Sequence, residues 1–94
     1  MFQDEKLVIV NEKGEQKEFA ILVTFDIEKK NKSYVIYTDY SKNDDGDIQV
    51  YASIYDKLQK DKKLYDVTEK DEIEFINKYL EVLADDLKSA VKLV

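Results

Sequence analysis

The 94 residues contain no cysteine, histidine, tryptophan or proline, and every basic residue is a lysine. Each absence removes a chemistry. Without cysteine there is no disulfide framework and no thiolate site. Without histidine there is no imidazole metal ligand, no imidazole base and no Ser-His-Asp relay. Without arginine there is no bidentate reading of guanine. Apolar runs are short, as in Leu7–Val10 and Phe19–Val23, far short of the ~20 that span a bilayer.

What is present is acidic. The chain carries 21 acids against 15 lysines, a net charge of −6. Residues 29–33 and 56–63 are positive, while residues 66–86 are strongly negative. Two short lysine clusters are not a continuous stripe, and nucleic acids draw binding from many phosphate contacts. Direct nucleic-acid binding is therefore disfavoured. The start, Met1-Phe2-Gln3-Asp4-Glu5, lacks the basic, then apolar pattern of a secretory signal. A cytoplasmic protein without a membrane segment is the expectation.

The length sets one domain, 1–94, with a sheet over about 5–67 and a helix over about 69–92. Lys6–Asn11 is a short apolar strand, and Gly14 in Glu12–Glu15 marks a tight turn. Lys17–Ile27 alternates, which places Phe19, Ile21, Val23, Phe25 and Ile27 on one face. Asn31 suits a left-handed turn position, and Ser33–Tyr40 is β-branched and aromatic. Asp45-Gly46 signals a turn before a second alternating strand, Ile48–Tyr55. Residues 63–67 suit a short fifth strand.

The period then changes. Thr68 is the expected N-cap, with Glu69, Asp71 and Glu72 in the first turn. Ile73, Ile76, Leu80, Leu83, Leu87 and Val91 form a helical stripe with no Gly or Pro after it begins. One long helix is the simplest reading, with Ala84-Asp85-Asp86 as the place where two would divide. The expected class is α+β: an antiparallel meander of four or five strands with the helix packed on one face.

The order Thr24-Phe25-Asp26, Tyr34-Val35-Ile36-Tyr37, Val50-Tyr51-Ala52 and Tyr55-Asp56, closed by an acidic helix, resembles the YrzB-like family of small acidic bacterial proteins. The resemblance spans roughly residues 5–84. It departs at Asp39, where the family often has proline, and residues 85–94 run past its usual end. The family has no known activity, so the resemblance implies no catalytic, cofactor or metal residue.

Three groups of residues invite a chemical reading. Asn43–Ile48 looks like part of a calcium loop. In an EF-hand alignment, however, Ser41 and Ala52 fall where Asp and Glu are required, so a solvated turn is expected. Carboxylate pairs such as Asp44/Asp45 and Asp85/Asp86 lie where water keeps both ionised, unlike a catalytic dyad. Lys57, Lys60, Lys62 and Lys63 offer an anion site, set against an ordinary solvated loop. No catalytic residue, cofactor or metal is assigned.

The tyrosines are the most informative feature. Seven occur, and Tyr34, Tyr37, Tyr40, Tyr51 and Tyr55 fall on two neighbouring strands. One helix shelters one sheet face, so apolar area on the other awaits sheet curvature or a partner. Tyrosine suits a wet interface, its ring burying area while its hydroxyl keeps a hydrogen bond. The reading is a non-catalytic protein-binding or regulatory module that uses these tyrosines toward a protein partner or a second copy. The alternative is an acidic nucleic-acid mimic that inhibits a basic DNA- or RNA-acting protein. Which tyrosines share a face depends on the register across 41–46, and a one-residue slip exchanges the faces.

Overall fold

The computed structural model describes residues 6–56 and 63–94. The first five residues, and Lys57, Lys60 and Lys62 of the anion-site reading, lie outside the described residues. Among the described residues, six strands and one α-helix follow in the order β1 (Lys6–Val10), β2 (Gln16–Ile27), β3 (Lys32–Thr38), β4 (Ile48–Tyr55), β5 (Leu64–Asp66), α1 (Lys70–Leu87) and β6 (Val91–Leu93), with a short 3-10 turn, Glu28–Lys30, between β2 and β3. Strands β1 to β5 form a curled antiparallel meander in chain order. The class is the α+β arrangement that the sequence predicts.

Two of the loops share one design. Asn11 Oδ1 accepts the amides of Lys13 and Glu15, each at 2.9 Å, and Gly14 sits at φ 82°. Asn43 Oδ1 likewise accepts the amides of Asp45 and Asp47, at 3.0 and 2.9 Å, with Gly46 at φ 85°. Both read Asn-x-x-Gly-acid. The asparagine replaces a backbone acceptor, and glycine supplies the left-handed residue without a Cβ clash. The loop that resembled a calcium site is therefore built by its own amides around Asn43. Between β2 and β3, Asn31 takes the left-handed position at φ 53°.

A bulge corrects the expected faces of β2. Ile21 pairs with Tyr37 but Val23 pairs with Ile36, so Leu22 is an extra residue. Phe19 and Ile21 consequently point away from the helix, while Val23, Phe25 and Ile27 point toward it. Uninterrupted alternation would have kept all five together. The bulge also bends the strand and increases its twist, which curls the sheet.

The helix side holds the larger core. Ile76, Leu80 and Leu83 of α1 pack on Tyr34, Ile36, Ile48 and Val50. Each side chain so buried contributes about 1.5–3 kcal/mol. Phe25 stacks between Tyr34 and Tyr79, with ring centroids at 5.2 and 4.2 Å.

Both ends of α1 differ from the expectation. The N-cap is Glu69 rather than Thr68, and the Glu72 carboxylate reaches back to accept the Glu69 amide at 3.4 Å. This is the capping-box arrangement. At the other end the helix stops at Leu87, not near residue 92. Lys88 turns left-handed at φ 54°, and Val91–Leu93 pair in parallel with Ile48–Val50. The stripe residue Val91 is apolar because it packs on the core as a strand residue, a contact that periodicity does not distinguish from a further helical turn.

Candidate binding face

The side of the sheet turned away from α1 has its own cluster. Phe19, Val35 and Tyr37 are buried, and Leu7, Ile9, Ile21, Tyr51, Tyr55 and Leu64 pack half-buried around them. No residue of α1 belongs to this cluster. Its centre is covered by the sheet's own curvature and its large rings. Phe19 meets Tyr37 and Tyr51 edge-on, at centroid distances of 5.2 and 5.5 Å. Tyr37 and Tyr51 are cross-strand partners and stack at 5.6 Å. Such ring pairs add to the area term.

The polar tips are satisfied. The Tyr37 hydroxyl and Ser53 Oγ share a hydrogen bond of 3.0 Å. At the rim, Lys17 lies over the Phe19 ring at 5.4 Å and forms an ion pair of 2.7 Å with Asp39. Asp39 also accepts the Ser41 amide and hydroxyl, at 3.0 and 2.7 Å. The Lys17 bond, followed by those from Ser41, holds the Asp39 carboxyl well below the usual range. The same Asp39 contact raises the Lys17 ammonium.

The five tyrosines singled out from the sequence do not form one surface. Tyr37, Tyr51 and Tyr55 gather on the face away from the helix. Tyr34 points the other way, fully buried beneath α1, where its hydroxyl donates to the Glu72 carboxylate. Tyr40 lies beyond the end of β3, half exposed and left-handed at φ 63°. Sequence reasoning missed Phe19 as the hub, and with it Leu7, Ile9 and Ile21. The alternation of Leu7 and Ile9 was a usable signal, but the bulge hid the partition of β2.

An open cleft of about 590 Å³ lies at one end of the sheet, where Asp26, Asn31 and Ser33 of the β2–β3 region approach Tyr55, Asp56 and Tyr65. From the same β2–β3 region, Lys30 bridges Glu69 and Asp71 at 3.1 and 2.8 Å, and Lys32 reaches Glu69 and Glu72 at 3.4 and 3.5 Å. The Lys30 contacts raise that lysine and lower Glu69 and Asp71. These pairs fasten the β2–β3 turn to the first turn of α1. Among the described residues, no group of three carboxylates is placed to hold a metal ion, and no helix is long and apolar enough to cross a membrane.

These features define a small α+β domain with one aromatic sheet face left outside the helix layer. The chain belongs to the family described as "Protein of unknown function (DUF1292)", which matches residues 12–85. It is 36% identical over 88 residues to a UPF0473 protein of Listeria welshimeri, covering 89% of this chain and 88% of the relative. A UPF0473 protein of Listeria monocytogenes is 35% identical over the same length, again with 89% and 88% covered. One from Lacticaseibacillus casei is 35% identical over 49 residues, covering 52% of this chain and 46% of the relative. These are bacterial proteins without an assigned activity. No solved structure matches the chain.

Proposed function

We propose that this protein is a non-catalytic binding or regulatory module acting in the cytoplasm through the Phe19–Tyr37–Tyr51–Tyr55 face. One observation carries the reading: a second apolar cluster, centred on Phe19, lies on the sheet face that α1 does not cover. Its outer residues Tyr51, Tyr55, Leu7 and Ile9 are only half-buried. Docking a partner there removes further apolar area from water while the tyrosine hydroxyls keep polar contacts. The partner is a protein surface or a second copy rather than a nucleic acid. The lysine nearest the aromatic hub, Lys17, is already paired with Asp39, and Asp26 and Asp56 line the cleft beside Tyr55. The YrzB-like resemblance brings no activity and adds none.

The test is affinity capture from bacterial cytosol with the immobilised full chain and with Tyr51→Lys, both confirmed folded by circular dichroism. The expected result is a protein retained by the wild type and lost at least ~10-fold by the variant, the factor that 1.4 kcal/mol represents. Equal retention by both overturns the reading. The nucleic-acid-mimic alternative rests on Glu74, Glu81, Asp85 and Asp86, which are exposed along α1. Steep loss of the captured complex with salt would favour it.

A further inference from the structure

β4 receives two different strands along one edge. Its Ser53–Tyr55 end pairs with β5, and its Ile48–Val50 end pairs with β6. The segment in the second position is residues 88–94, and its local sequence does not call for a strand. The helical stripe of Leu83, Leu87 and Val91 passes straight through it without Gly or Pro. The helix is ended by Lys88, held left-handed at φ 54° and ψ 39°, with its amide turned back to Ala84 and Asp85 carbonyls. Residues with a Cβ disfavour that conformation.

Beyond this turn, β6 depends on tertiary contacts. Ile48 donates its amide to the Ala90 carbonyl, and Val94 donates to Val50, both at 2.9 Å. Val91 and Leu93 pack half-buried on the helix-side core. The slot therefore takes an extended apolar-x-apolar segment in parallel with β4. The family match ends at residue 85, so this closure lies outside the matched part.

We propose that the slot exchanges its strand between molecules: residues 88–94 of one copy pair with Ile48–Val50 of another, reciprocally, to give a two-fold strand-swapped dimer. The occupant is a second copy because the segment seated in the slot belongs to this chain, so every β6 contact is reproduced without a new interface. Only the link at Lys88 and Ser89 has to change. Short strained links of this kind favour swapping, and exchange frees Lys88 from its left-handed turn.

The absence of cysteine from the natural chain makes the test clean. Gln49 and Lys92 are register partners across β4 and β6. Full-length Gln49→Cys is mixed with full-length Lys92→Cys, and the mixture is oxidised under a glutathione buffer. The expected product is the mixed disulfide dimer, several-fold in excess of either homodimer. Placing Lys88→Gly in both chains removes the backbone strain of the closed form and lowers the mixed dimer about five-fold. Excess synthetic peptide of residues 88–94 suppresses it by occupying the slot. Circular dichroism of each variant confirms the fold. A mixed dimer at no more than the roughly two-fold excess over either homodimer that random pairing of an equimolar mixture gives overturns the proposal, as does one insensitive to the peptide.

Discussion

The Tyr34 phenol donates its hydrogen bond to the Glu72 carboxylate with both side chains almost wholly buried, at 0% and 1% exposure. A carboxylate is tolerated between sheet and helix because three groups share it. Tyr34 supplies a hydroxyl, Lys32 supplies charge at 3.5 Å, and the Glu69 amide closes the capping box at 3.4 Å. The contact fixes where the first turn of α1 lands on β3. It also explains why the one tyrosine buried under the helix is absent from the opposite face.

Removing either partner leaves the other unsatisfied. Glu72→Ala strips the buried phenol of its acceptor and is expected to destabilise by roughly 2–3 kcal/mol; Tyr34→Phe is expected to cost about 1–2 kcal/mol. Burial first, and then the Glu72 hydrogen bond, raise the Tyr34 pKa far above its ordinary value. A raised folded value means that this contribution is complete below the unfolded pKa, about 10, and is lost as pH rises beyond it. Urea unfolding at pH 8 and pH 11 checks the sign: the wild type loses stability at the higher pH, and Tyr34→Phe loses less.

Asp39 acts in the opposite direction. Its carboxyl is lowered by Lys17 and then by Ser41, so its contribution is present above the unfolded value, about 4, and disappears on acidification below it. Asp39→Asn is expected to cost about 2 kcal/mol at neutral pH and to flatten the stability profile between pH 5 and pH 2, within the range where depressed carboxylates titrate. Thermal melts across that range measure both effects.

The bulge makes an unusual deletion tolerable. Removing Leu22 leaves Ile21 and Val23 adjacent, hence on opposite faces, as they are now. The cluster around Phe19 keeps its residues, and the helix-side cluster loses only the half-buried Leu22 side chain along with the bend. The expected outcome is a cooperative urea transition shifted by roughly 1–3 kcal/mol, scaled from the area term. Loss of a cooperative transition would show that the bend itself is required.

The second cluster is a core in its own right. Phe19 is 8% exposed although no helix covers it. Phe19→Ala is expected to destabilise by about 3 kcal/mol, in the range for a buried aromatic. A surface residue would give less than about 0.5 kcal/mol. Chemical denaturation of the variant separates the two.

Alternation and turn chemistry settled much of this protein from sequence alone. The hairpin at Gly14, the left-handed Asn31, the turn at Gly46 and the strand at Ile48–Tyr55 are local matters of φ and period, and each was legible in its own few residues. So were the class and the amphipathic helix. Three decisions were not local. Leu22 becomes a bulge only because both strand ends are pinned by their turns, which leaves one residue too many between them. Tyr37, and not Tyr34, joins Tyr51 and Tyr55 because register across the Ser41–Asp47 loop is fixed by pairing at a distance. Residues 88–94 leave the helix because β4 offers unpaired amides and carbonyls to a segment whose own pattern fits either state. In each case the energy that chooses lies between residues far apart in the chain, which no reading of neighbours along it contains.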